Sequence, residues 1–157
     1  MPTRDEFIPL AQTYMDMVFR LAFSYLKNKA DADDVTQNVL LSLYRTDTVF
    51  ECEDNVRYWL VRVTLNECKK VWRSPWNRRV EFEDYANTLT FEEPRYSQLF
   101  QAIMALEQKY RTVIVLHYYE GYTIAEMAAL LGLPQGTVGT RLRRARERLK
   151  RYLTEEA

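Results

Sequence analysis

Glycine is scarce in this chain. Gly121, Gly132, Gly136 and Gly139 are its 4 glycines among 157 residues, all in the last quarter. Tight hairpin turns draw on residues that accept positive φ, glycine above all, so the region before Gly121 has little hairpin chemistry, and its apolar spacing is helical. Histidine and cysteine are scarcer still. His117 is the single histidine, and Cys52 and Cys68 lack CxxC spacing, so the tetrahedral ligand set of a zinc site cannot be assembled and no metal is expected. No stretch approaches the roughly 18 apolar residues of a membrane span. The opening MPTRDEFIPLAQ lacks the apolar core of a signal peptide. These absences predict no membrane insertion and a reducing, cytoplasmic location.

An active site is missing as well. There is no glycine loop to cradle phosphate and no ligand cluster. Asp33 and Asp34, the nearest thing to a carboxylate pair, are helix neighbours that point to different faces. No enzyme, no catalytic residue and no cofactor is therefore expected. Net charge is also absent, with 22 Lys and Arg against 22 Asp and Glu, which argues against a uniformly cationic surface. The balance is uneven, however. Residues 140–151 are strongly positive, whereas 31–34, 47–54 and 81–93 lean acidic. One patch then suits nucleic acid and another a basic protein partner, although acidic stretches also serve as solvated helix starts.

What is present is helical periodicity over an apolar content of 47%, enough for compact cores. Phe7, Leu10, Ala11, Tyr14, Val18, Leu21, Ala22 and Tyr25 mark one face of a long first helix. Asp31 is placed to cap a second, with Val35, Val39 and Leu43 on its inner stripe. A third carries Val56, Trp59, Leu60 and Val63 and should end near Ser74-Pro75, because the residue before proline resists helical dihedrals. Periodicity fades between Pro75 and Arg95. It resumes with Leu99, Ile103 and Leu106, then Val113, Ile114 and Leu116, as two further helices. The expected fold is all-α: two small helical bundles, 1–75 and 96–157, joined by a linker over 76–95, the second bundle containing a helix-turn-helix.

That motif lies between Tyr122 and Leu153. Thr123 and Glu126 form a T-x-x-E capping box. Gly132 stands where a helix end often needs a left-handed residue, and Pro134 where a new helix can begin. Ala125, Ala128 and Ala129 offer small side chains for a close helix crossing. In the second helix Val138, Leu142, Ala145, Leu149 and Tyr152 recur at three- and four-residue steps. Arg141, Arg143, Arg144, Arg146, Arg148, Lys150 and Arg151 fill the rest, with Glu147 the lone acid among them. A capped helix, a turn of suitable length and a cationic second helix point to insertion in the DNA major groove.

Two stretches of the first bundle go beyond core building. In Asp31–Tyr44, Asp33, Asp34, Gln37 and Asn38 share a polar face opposite Val35, Val39 and Leu43. In Val56–Arg73, Arg57, Arg62, Lys69, Lys70 and Arg73 interleave with Tyr58, Trp59 and Trp72, a mixture suited to unpaired bases and their phosphates. Trp59 and Trp72 serve equally as core anchors, the preferred reading for Trp59.

Taken together, these segments resemble the sigma-70 family of bacterial RNA polymerase sigma factors, in its short extracytoplasmic-function (ECF) type. DADDVTQNVLLSLY is similar to the family's D-x-x-D-x-x-Q-x-x-F/L helix, and WLVRVTLN to its WL-x-R-I-A-x-N segment. LEQKYRTVIVLHYYEGYTIAEMAALLG resembles its LP-x-x-x-R-x-V-x-x-L segment, and GTVGTRLRRARERLK its GTV-[KR]-SRL-x-RAR-x-x-L signature. The resemblance implies a factor that binds core polymerase and directs initiation at −10 and −35 promoter elements. The helix bearing Asp33, Asp34, Gln37, Asn38 and Leu41 would dock on the β′ clamp helices. Residues 47–55 with Arg57, Arg62, Asn66, Lys69, Lys70 and Arg73 would read and help melt the −10 element.

The same resemblance implies that Gln135, Thr137, Thr140, Arg141, Arg143, Arg144 and Arg148 meet the −35 element. Thr140, Arg143 and Arg144 would face base edges, and Arg141 and Arg148 phosphates. The implied partners are core RNA polymerase, through its β′ clamp helices and β flap, promoter DNA and an anti-sigma factor. The chain departs from the pattern at Gly139, where the family has Lys or Arg, at Asn38, a frequent Glu, and at Glu107-Gln108, often Leu-Pro. A stand-alone helix-turn-helix regulator is the competing reading.

Overall fold

Thr3 starts the first helix: its hydroxyl accepts a hydrogen bond from the Glu6 amide at 3.2 Å, and Asp5 and Glu6 complement the positive end of the helix dipole. This is the opening of a computed structural model that describes residues 2–73 and 94–156. The chain divides into two compact units, one within residues 1–80 and the other within 81–157.

Helix α1 (Arg4–Leu26) ends at Lys27, which takes a left-handed conformation (φ 55°, ψ 34°) and returns its amide to the Phe23 carbonyl. That turn leaves Asn28 extended, and Asn28 caps α2 (Lys29–Arg45) by accepting from the Asp31 amide at 2.9 Å. The expected cap, Asp31, is therefore the residue being capped. Its own Oδ2 is buried with no hydrogen-bond partner. Burial first, and the nearby Asp34 second, hold its carboxyl above the usual range. Helix α3 (Glu53–Trp72) starts from Cys52, whose thiol makes no cap bond.

The three helices bury the stripes that the spacing predicted for α2 and for α1 from Tyr14 onward, with Val18, Leu21, Val35, Val39 and Leu43 all but sealed from solvent, while Phe7, Leu10 and Ala11 are half-buried. In α3 the inner face is turned slightly from expectation: it is Val56, Leu60, Val61, Thr64, Leu65 and Cys68. Trp59 and Val63 are only half-buried. Two residues that do not read as core make this possible. The Thr64 hydroxyl donates to the Leu60 carbonyl at 2.6 Å, which satisfies it inside the bundle. Cys68 packs as a small apolar group, and burial raises its thiol pKa.

The second unit holds α4 (Pro94–Ala105), α5 (Gln108–Ile114), α6 (Ile124–Leu131) and α7 (Gln135–Glu156). The expected linker over 76–95 lies outside the described residues except for Pro94 and Arg95, which already belong to α4. A feature the spacing did not foretell follows α5: it runs into a π-helical turn, Val115–Tyr119. The wider turn is closed by the Glu120 amide on the Val115 carbonyl at 3.0 Å, and Gly121 takes φ 77° just beyond it. Arg111 is only 2% exposed, and its guanidinium donates to the Leu106 carbonyl at 2.9 Å, tying α5 to the end of α4. Among the described residues there is no strand, so the all-α expectation stands, and no helix is long and apolar enough to cross a membrane.

Asn28→Ala should lower the free energy of unfolding by about 1 kcal/mol, the usual worth of an N-cap side chain. Asp31→Asn, which removes a buried unpartnered charge, should cost nothing. Chemical denaturation of both variants at neutral pH checks the pair.

Candidate nucleic-acid interface

The helix-turn-helix is fixed at its start by reciprocal hydrogen bonds. Thr123 Oγ1 accepts from the Glu126 amide at 3.1 Å, while Glu126 Oε1 accepts from the Thr123 amide at 3.0 Å. Gly132 ends α6 at φ 67°, and the Pro134 carbonyl takes the first hydrogen bond of α7, from Val138 at 3.2 Å. Val138, Leu142 and Ala145 seat α7 with at most 1% exposure, facing Met127 and Leu130 among the buried residues of α6. Of the three alanines expected at the crossing, only Ala128 is buried. Gly139 of α7 lies near Ile124 of α6, but loosely: an added Cβ would meet Ile124 Cδ1 only at 4.0 Å, ordinary contact distance.

This seating sorts the arginines of α7 into two groups. Toward the C-terminal end they turn back onto their own unit. Arg148 donates to Glu107 Oε1 at 2.8 Å and lies over the Tyr110 ring at 4.5 Å. Arg146 donates to the Tyr118 hydroxyl at 3.0 Å. Toward the N-terminal end, Gln135, Arg143 and Arg144 are exposed, and Thr137, Thr140 and Arg141 are half-buried. Arg143 has Glu147 one turn along at 3.6 Å. For Arg141 and Arg144 no ion pair is formed among the described residues. All seven residues proposed from the sequence lie on α7, and of them Arg148 and Arg143 are engaged by acids of their own unit, Glu107 and Glu147. Glu107, the departure from Leu-Pro, is the residue that occupies Arg148.

In the first unit the outer face of α2 carries Asp34, Gln37, Asn38 and Leu41, all exposed, while Asp33 is half-buried and pairs with Lys29 at 2.9 Å. Leu41 and Tyr44 give this polar face an apolar component that the sequence reading carried only through Leu41. On α3, Arg62, Asn66, Lys69 and Arg73 fall at helical steps of three and four and make one stripe. Lys70 flanks it, paired with Glu67 at 3.1 Å. Arg57 lies off that stripe near Tyr14 of α1, whose phenol pKa is raised by burial first and by Glu53 next, with the Arg57 charge opposing. Trp72 meets Tyr25 of α1 edge-on at 6.0 Å, which ties it to the bundle.

Between α2 and α3 the chain makes a short loop. The Thr48 amide donates to Thr46 Oγ1 at 3.2 Å. Val49 stands 87% exposed, and Phe50 turns inward onto Trp59 with ring centroids 5.7 Å apart. A groove in the second unit was not anticipated either. It is apolar, about 880 Å³, lined by Leu99, Ile103, Tyr118, Leu149 and Leu153 with Arg146 and Lys150 on its rim.

The family model Sigma-70 region 2 matches residues 10–79, and that described as Sigma-70, region 4 matches residues 96–149. The ECF RNA polymerase sigma factor SigM of Mycobacterium tuberculosis is 31% identical over 153 residues, covering 96% of this chain and 78% of the relative. SigE of Mycolicibacterium smegmatis is 30% identical across 100% of this chain, which spans 64% of that longer relative. Among solved structures, CnrH in complex with the cytosolic domain of CnrY has a TM-score of 0.67 at 25% identity, covering 99% of this chain and 92% of CnrH. The sigma factor RpoE, in complex with the anti-sigma factor NepR from Bartonella quintana, shares the fold with a TM-score of 0.72 at 23% identity, covering 97% and 98%.

Two substitutions test the local geometry. Gly139→Ala should stabilise the chain by about 0.5–1 kcal/mol, because the position is helical and has room for a methyl group. Arg148→Ala should lower the thermal midpoint through the lost Glu107 and Tyr110 contacts, with an energetic cost of about 1 kcal/mol or less for so exposed a pair. Thermal unfolding of both variants reads each effect directly.

Proposed function

This chain belongs to the sigma-70 family, as an RNA polymerase sigma factor of the ECF type, and we propose how its two units divide the work of promoter-specific initiation. Sigma factors are initiation factors and not enzymes; they bind core polymerase and direct it to promoters. Residues 1–75 act as the region 2-like domain, 76–95 as the linker and 96–157 as the region 4-like domain.

The recognition helix α7 enters the major groove at the −35 element with its N-terminal half. Arg143 and Arg144 reach base edges, where bidentate arginine contact with guanine discriminates by about 1–3 kcal/mol. Thr140 joins them. Gln135, Thr137 and Arg141 hold the backbone and set the register without reading sequence. Arg148 serves from a distance, bracing the helix. The observation that carries this reading is the sorting of the arginines: Arg146 and Arg148 are tied to Tyr118 and Glu107, while half-buried Arg141 and exposed Arg144 form no ion pair among the described residues.

In the first unit, Asp34, Gln37, Asn38 and Leu41 dock on the β′ clamp helices, with Asp33 supporting the helix start through Lys29. The stripe of Arg62, Asn66, Lys69 and Arg73, flanked by Lys70, tracks the opened −10 strand, and the loop from Thr46 to Cys52 reads it. Arg57 contributes at the edge of that surface. The apolar groove of the second unit suits the β flap, and an anti-sigma protein that covers these surfaces would silence the factor. Cytoplasmic residence follows from work on the nucleoid.

Transcription in vitro with purified core polymerase, with and without the chain, on a library of candidate promoters tests the reading. Start sites should appear only when the chain is added. With Arg144→Ala they should weaken about tenfold or more, corresponding to at least 1.4 kcal/mol, and tolerate change at one −35 position. Arg141→Ala should weaken all promoters alike and reduce the slope of log affinity against log salt by about 1. Sequence-specific duplex binding without any binding to core polymerase would overturn the proposal in favour of a stand-alone regulator.

A further inference from the structure

A shallow hollow of about 470 Å³ opens between α2 and α3, and its walls belong to two different tasks. Asn38, Leu41, Ser42 and Arg45 come from the docking helix, and Thr46 from the start of the loop. Trp59 and Glu67 of α3 close the other side. The indole is half-buried, so it is neither a core anchor nor a free stacking platform. Its contact at 5.7 Å and 69° to Phe50 draws the loop inward, while the neighbouring Val49 is almost wholly in solvent.

The Thr46–Thr48 ties of the loop do not reach α3: these hydroxyl contacts at 2.9 and 3.2 Å lie within its own first turn. Cys52 at its far end provides no side-chain cap. On α3, Trp59 lies three residues before Arg62 and seven before Asn66, which puts it on the same side as the cationic stripe.

Resting on the division of labour above, we propose that Trp59 is a positioning residue that couples docking to strand reading. A polymerase surface seated on Asn38 and Leu41 closes the hollow and fixes the indole. The indole in turn holds Phe50 and sets the loop in its reading conformation. The physical basis is differential contact: an open hollow leaves one side of the indole to water, and a docked surface holds the Asn38 and Leu41 side chains of the lining over it. Trp59 touches neither the clamp nor the DNA in this account and acts through Phe50.

The test uses the full chain. Affinity for core polymerase, affinity of the assembled holoenzyme for a single-stranded −10 oligonucleotide, and the thermal midpoint are measured for Trp59→Leu, Trp59→Phe and Phe50→Ala. Trp59→Leu and Phe50→Ala should leave core affinity within about twofold and weaken holoenzyme binding to the single strand about tenfold, a loss of roughly 1.4 kcal/mol. Trp59→Phe, which keeps a ring against Phe50, should recover most of it. Unchanged strand binding would overturn the proposal. So would a parallel fall in core affinity, strand affinity and thermal midpoint, the pattern of a merely structural residue.

A second measurement avoids the folding question. In a chain carrying Trp72→Phe and Trp76→Phe, with 5-hydroxytryptophan at position 59, emission excited apart from the polymerase tryptophans should shift when core polymerase is added. Binding without any shift would overturn the coupling alone. Absence of binding by the unmodified chain would instead remove the sigma reading on which the proposal rests.

Discussion

The seating of α7 on its apolar stripe is the constraint on which the second unit depends. Val138 and Leu142 each contribute roughly 1.5–3 kcal/mol by burial, whereas an exposed ion pair contributes about 0–1 kcal/mol. The stripe therefore decides the rotation of the helix, and the arginines go where that rotation leaves them. A rotation by one residue would swing each side chain by about 100° and send the outward set into the core. The capping box of Thr123 and Glu126 and the left-handed Gly132 matter for the same reason: they set where α6 begins and ends, and hence the angle at which α7 is presented.

Once the rotation is set, electrostatics subdivides a helix that looks uniformly cationic. Glu107 and the hydroxyl of Tyr118 engage the C-terminal arginines, and the guanidinium of Arg148 also gains the face of Tyr110. Such contacts add little stability, but they orient long side chains that would otherwise sample many rotamers. In the N-terminal half Arg141 and Arg144 form no ion pair among the described residues, and Arg143 has only Glu147, one turn along at 3.6 Å. A chain with no net charge can in this way carry a concentrated positive surface, strong at short range and screened beyond about 8–10 Å in physiological salt.

The first unit solves a different problem with the same means. Its core stripes leave Asp34, Gln37, Asn38 and Leu41 exposed on α2 and a cationic stripe on α3, with a short loop between them. Phe50 on Trp59 is the contact that links the loop to the helix carrying the stripe. Buried polar groups are handled locally: Thr64 returns its hydroxyl to the Leu60 carbonyl, and the strained exception is Asp31, whose Oδ2 is buried without a partner.

The periodicity of Val35, Val39 and Leu43, the T-x-x-E box, Gly132 and the stripe from Val138 to Tyr152 already determined helix type, approximate limits and the apolar face of α2 and α7, though not that of α3. These depend on neighbours within a few residues, which the chain itself lists in order. The order of motifs likewise made the family legible. Other features depended on partners distant in sequence. Glu107 and Arg148 are 41 residues apart, and no local rule pairs them. Asn28 rather than Asp31 became the cap because Lys27 turned left-handed, and Trp59 left the core because Thr64 and Cys68 were acceptable inside it. The sequence by itself determined which residues are cationic and which faces are apolar. Only the tertiary structure decided which cations are engaged within their own unit and which are not, because that depends on burial and on partners brought close by packing.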